Sequence, residues 1–147
     1  MYHTLTPWIS YGVAVLICGF ALWKGDRWLR FVAAVYLAGW TASPFVAIRD
    51  LMSPEWGVMA IDVLVMVLLV WASLKARRIW SIVAAACQMM SVASHIVSII
   101  DLRIYIATLV AGLALLSYGV LIALLAGTLS ALRARRLADE RDRDLHP

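Results

Sequence analysis

The sequence predicts an all-α, polytopic membrane protein, with five transmembrane helices in an antiparallel up-down bundle, the N-terminus outside and the C-terminus cytoplasmic. Three observations predict it. The charges are clustered, leaving five apolar runs of roughly 17 residues or more, the length a helix needs to cross hydrocarbon. Of the 147 residues, 64% are hydrophobic and only 15% charged, whereas a soluble domain averages about 45–50% and about 25%. The basic residues also fall almost entirely on one side of the alternating spans.

The first span, Trp8–Trp23, opens on MYHTLTPWISYGV. No Lys or Arg precedes its apolar stretch, so it reads as a retained helix and not as a signal peptide. KGDR separates it from the second, Leu29–Ile48, which holds Ser43-Pro44 near its end. Pro44 cannot donate to the Trp40 carbonyl, so a kink is expected there, with a backbone oxygen freed. RDLMSPE leads to the third span, Trp56–Leu74, KARR to the fourth, Ile79–Ile100, and DLR to the fifth, Ile104–Leu132. Such short links join antiparallel neighbours. Residues 1–132 are thus one membrane domain. Residues 133–147, RARRLADERDRDLHP, form a charged cytoplasmic tail that extends the last helix. Its pairs Arg135–Asp139, Arg136–Glu140 and Asp139–Arg143 stand at i,i+4, each worth only about 0.2–0.5 kcal/mol.

Orientation follows from the basic residues. Lys24, Arg27 and Arg30, then Lys75, Arg77 and Arg78, then Arg133, Arg135, Arg136, Arg141 and Arg143 share one side, eleven of thirteen. Only Arg49 and Arg103 lie opposite. The positive-inside rule puts the first side in the cytoplasm of a bacterial-type inner membrane. Five spans satisfy the alternation; four or six would not. Trp8 and Trp56 mark the outer boundary, and Trp23, Trp28, Trp71 and Trp80 the inner one, where amphipathic indoles prefer to sit. Trp40, deep in the second span, is the exception and is expected to face protein.

Small residues recur at helical spacing: Ala34, Ala38 and Ala42 on the second span, and Thr108, Gly112, Gly119, Ala123 and Gly127 on the fifth. They let backbones approach where lipid supplies no hydrophobic drive. Packing within the bundle is the favoured reading, with a homo-oligomer or a larger complex joined through these Ala/Gly seams as the alternative. The net charge of +4 does not indicate nucleic acid, because the basic residues flank helix ends and form no groove with stacking aromatics. Cys18 and Cys87 lie inside spans without CxxC spacing and read as packing residues.

One stretch of the fourth span, ACQMMSVASHIVSIID, carries too many hydrogen-bonding groups for a lipid-facing helix. At 100° per residue Gln88, Ser91, His95 and Ser98 fall within an arc of about 80°, with Ser94 just beyond. That stripe is expected to face the bundle interior or a cavity, because hydrocarbon cannot satisfy it. Asp62, His95 and Ser43 each lie six residues from the outer end of their span, ~9 Å below the boundary. Thr108, Ser10 and Tyr11 are slightly shallower. Polar groups from all five helices therefore gather in the outer half, above an aliphatic inner half.

Asp62 carries the most weight, since an ionised carboxylate in a span costs at least about 2.5–3.5 kcal/mol and needs a partner or a proton. His95 at matching depth is one candidate; Arg49 or Arg103 reaching from the rim is another; a protonated Asp62 is the third. The bland reading is an Asp that merely locks the third and fourth spans together. The functional reading is ligand binding or proton handling by Asp62, His95, Ser43, Gln88, Ser91 and Ser98, with Trp40 and Tyr118 as walls. Bis-histidine haem ligation is disfavoured, since His3 and His146 lie near opposite termini; a His–Met pair through Met59 or Met66 is chemically allowed but not favoured. Met89 and Met90 read as core filler. No phosphate loop, HExxH, GxSxG or paired-carboxylate motif occurs, so no catalytic residues, metal ligands or cofactor are assigned and an enzyme is not expected.

The leading expectation is a small binding or accessory protein that holds an amphipathic molecule, of quinone or lipid type, in a pocket open to the outer leaflet. The alternatives are a proton-coupled small transporter using Asp62 and His95, and a purely structural subunit of a membrane complex.

Overall fold

A computed structural model describes residues 5–46, 56–100 and 106–145. They form five helices and, among the described residues, no strand: α1 (Leu5–Lys24), α2 (Arg27–Val46), α3 (Trp56–Ala76), α4 (Ile79–Ile100) and α5 (Ile106–Leu145). Four of them, α2 to α5, are long and apolar enough to cross a membrane, and α1 is a further apolar helix of 20 residues. This is a multi-pass helical membrane protein whose outer faces meet lipid. Large side chains such as Leu16, Leu64, Ile82, Leu115 and Ile122 are exposed around the bundle, where acyl chains solvate them.

The helices pack in sequence order and α5 returns against α1, closing a ring. α2 also touches α5 across the centre. That cross-contact divides the interior into a tight α1–α2–α5 triangle and a wider α2–α3–α4–α5 quadrilateral. Small residues make the triangle tight: Ala14, Cys18 and Ala21 of α1 and Ala33 of α2 are fully buried. Leu29, Leu69, Leu121 and Leu124 fill the half of the bundle nearest the KGDR and KARR turns. Trp71 there stacks edge-on against both Trp28 and Phe31, each at 5.6 Å, tying α3 to α2.

The two turns at that end are themselves linked. Asp26 caps α2 by accepting the Leu29 amide at 2.9 Å, and its other oxygen meets Arg78 at 3.5 Å. Gly25 is required beside it, since a Cβ would strike the Ala21 carbonyl oxygen. Arg77 ends α3 in the left-handed region, with φ 50°.

Several expectations are corrected here. Ala34 and Ala38 do not pack within the bundle but lie exposed, with Ala42 half-buried. The inward face of α2 is Leu29, Val32, Ala33 and Tyr36, and Ala34 and Ala38 sit two residues from Tyr36, about 200° around the helix. The α5 stripe splits. Gly119 packs on Cys87 and Gly127 on Trp80, whereas Gly112 faces open space and Thr108 is exposed. Met89 and Met90 are exposed and not core filler, because they lie on the arc of α4 opposite Gln88, Ser91 and His95. Val92, next to Ser91, is buried.

α5 continues as helix to Leu145, and Arg133 to Asp144 are all exposed. Its i,i+4 charges stay solvated. Among the described residues the ion pairs are Arg78–Asp26 and His95–Asp62.

Candidate functional site

A partly open cavity of about 290 Å³ occupies the quadrilateral, near the ends where α2 and α4 finish and α3 and α5 begin. Each helix offers one face to it. α2 contributes Tyr36, Gly39, Trp40, Ser43 and Pro44, spaced at i, i+3, i+4, i+7 and i+8. α3 contributes Val58, Asp62 and Val65; α4 contributes Gln88, Ser91 and His95; α5 contributes Leu113 and Ser117. Among the described residues α1 supplies none of the lining, since the α2–α5 contact stands between it and the cavity. The described lining is therefore drawn from four helices.

Asp62 is its centre. Its Oδ2 lies 3.0 Å from His95 Nε2, and its Oδ1 accepts a hydrogen bond from Gln88 Nε2 at 3.0 Å. Gln88 Nε2 also reaches the Asp62 backbone carbonyl at 3.4 Å. Each carboxylate oxygen thus faces a nitrogen, which is the satisfaction an acid needs in a medium of low dielectric. Gln88 and His95 can both reach because they are seven residues apart, about two turns, on the same side of α4. Of the partners expected for Asp62, the structure takes His95 and adds Gln88. Arg49 and Arg103 lie outside the described residues, as do His3 and His146.

The α2 wall holds its own polar atoms locally. Ser43 donates to the Gly39 carbonyl at 2.9 Å, and α2 stays helical two residues past Pro44. Gly39 is needed where α2 crosses α3, since a Cβ there would come within 2.8 Å of Val65 Cγ2. Tyr36 donates its hydroxyl to the Ser117 carbonyl at 3.1 Å, forming the polar part of the α2–α5 contact. Its ring lies 6.3 Å from that of Trp40, tilted by 51°. On α4, Ser91 donates to the Cys87 carbonyl at 3.3 Å.

Six of the eight residues singled out from the sequence therefore meet at the cavity: Asp62, His95, Ser43, Gln88, Ser91 and Trp40. Two do not line it. Ser98 donates to the His95 carbonyl at 2.7 Å, one turn beyond the lining face. Tyr118 turns toward α1 and pairs with Ser10 Oγ at 2.6 Å. Its neighbour Ser117, 100° around α5, takes the place expected for it. Tyr36 was missed as well. Its signal was available, since it precedes Trp40 by four residues and Ser43 by seven on the same face.

No protein-family model, curated protein or solved structure matches this chain. The cavity must be read from its own chemistry. Among the described residues no cluster of three His, Cys, Asp or Glu side chains is placed to hold a metal ion. The lining combines apolar walls with a few convergent polar groups, the usual composition of a small-molecule site.

Proposed function

We propose that this protein holds a small amphipathic molecule, of quinone or lipid type, in a pocket open to the outer leaflet of a bacterial-type inner membrane. One observation carries the reading: polar side chains from four helices converge on a single cavity around the carboxyl group of Asp62. A buried acid used only as a lock between α3 and α4 would need no empty volume beside it. The cluster of basic residues at the opposite end of the bundle supports N-outside, C-inside insertion, which puts the cavity in the outer half. Assembly with a second copy or a larger membrane complex through small-residue seams is compatible with this role.

Native mass spectrometry of the protein released with its lipid shell tests the proposal. A stoichiometric small molecule retained by the wild type and lost from Asp62→Asn is expected. A naked chain or a bound subunit in its place, with the variant indistinguishable, would count against it.

The 3.0 Å contact between Asp62 and His95 favours one second reading, a proton-coupled transporter. Leu29, Leu69, Leu121 and Leu124 close the other half of the bundle, where a continuous polar path would have to run. Flux in sealed vesicles that depends on a pH gradient and disappears in Asp62→Asn would move transport ahead of simple binding.

A further inference from the structure

We infer that the head of the bound molecule is cationic: the pocket takes a lipophilic ammonium, with Asp62 as its counter-ion. This rests on the pocket reading above and narrows it, and three features of the lining carry it.

The first is an inventory of hydrogens. The hydroxyls of Tyr36, Ser43 and Ser91 are each spent on a backbone carbonyl. The Gln88 amide donates to Asp62, and the His95 Nε2 position is taken by the same carboxyl group. What these side chains keep for a guest is lone pairs: hydroxyl oxygens, Gln88 Oε1 and the remaining sites on the Asp62 oxygens. A quinone's two carbonyl acceptors would be left with the Trp40 indole N–H and the Ser117 hydroxyl and would otherwise meet lone pairs. An ammonium brings hydrogens and positive charge.

The second is the charge of the lining. Among the described residues Asp62 is its one acid, and none of the lining side chains is Lys or Arg. Ionised, the Asp62 carboxylate places a negative charge beside the cavity inside the bilayer. Such a charge in a span is expensive until a cation joins it.

The third is the aromatic wall. Tyr36 and Trp40 line the side of the cavity formed by α2, their rings tilted against each other. Electron-rich ring faces beside a carboxylate favour a desolvated ammonium over a neutral head of the same size.

The test uses the full chain in lipid nanodiscs, with equilibrium dialysis and subtraction of empty discs to remove simple partitioning. Three probes of similar bulk separate the possibilities: 4-phenylbutylamine, protonated at neutral pH, its uncharged analogue 4-phenylbutan-1-ol, and the quinone menadione. Saturable binding of the amine, with the alcohol weaker by about tenfold or more, is expected, because a charge-assisted contact is roughly twice as strong as a neutral one. Asp62→Asn should bring the amine down to the level of the alcohol, and Asp62→Glu should preserve the preference. The comparison of probes on the wild type stands even where a variant fails to fold. Saturable binding of menadione that the amine does not displace would overturn the cationic assignment while leaving the amphipath pocket in place. Absence of saturable binding by all three probes would remove both.

Discussion

His95 and Asp62 are 33 residues apart in the chain, yet their side chains meet at 3.0 Å inside the bundle. The contact joins α3 to α4, and Gln88 completes it from the second carboxylate oxygen. An acid held between two nitrogen partners beside an open cavity is both a structural tie and an addressable charge. The two roles separate by mutation.

Removing one donor should expose the structural part. Gln88→Met keeps the side-chain length but leaves Asp62 Oδ1 without its partner, which costs about 1–3 kcal/mol. A lower thermal midpoint in detergent is expected. In Gln88→Met/Asp62→Asn the acid that Gln88 serves is gone as well, so the combined loss should be smaller than the sum of the two single losses. Strict additivity would show that Gln88 and Asp62 do not act together.

The two glycines of α5 that look alike in sequence should behave oppositely. A Cβ at Gly127 would come within 2.7 Å of the Trp80 ring and 2.9 Å of Leu29 Cδ2, both of them buried. Gly127→Ala should destabilise the bundle by about 1–3 kcal/mol, as overpacking does. Gly112 has nothing within 4 Å, so Gly112→Ala should be neutral or stabilise α5 by up to about 1 kcal/mol. Equal unfolding curves for the two variants would contradict the packing described.

Arg77 offers a stabilising change. Its φ of 50° is the left-handed conformation that closes α3, where a Cβ costs about 1–2 kcal/mol that glycine avoids. Arg77→Gly should therefore raise the unfolding midpoint. Arg77→Ala, with the Cβ retained, should not, which separates backbone relief from loss of the charge.

Asp26 predicts the behaviour of the opposite end. Asp26→Ala removes the cap on the Leu29 amide and should cost about 1 kcal/mol. Arg78→Gln removes only a half-exposed partner at 3.5 Å and should change stability much less. Amide exchange in the first turn of α2 is the direct readout: faster in Asp26→Ala, nearly unchanged in Arg78→Gln.

The element boundaries were legible because water and hydrocarbon impose them. Charges and turn residues cannot enter lipid, so α1 to α4 end near the charged turns, while α5 continues as helix through its charged tail to Leu145. The inward stripe of α4 was legible for the same reason, as polar residues in a span must turn from lipid. The outward position of Ala34 and Ala38 was not legible. Alanine is tolerated against lipid and against protein alike, so its repeat carries no direction. Tyr118 failed as a wall for a related reason: a tyrosine on a span can satisfy its hydroxyl on either side, and here Ser10 takes it.

Sequence alone determined that this chain forms apolar helices and which of their groups lipid would refuse. Those properties belong to each segment and its solvent. Only the tertiary structure decided that α2 reaches α5, excluding α1 and opening a cavity on one side, and that Gln88 joins His95 on Asp62. Helix rotation and crossing depend on how side chains of several segments fit at once, which no single segment encodes.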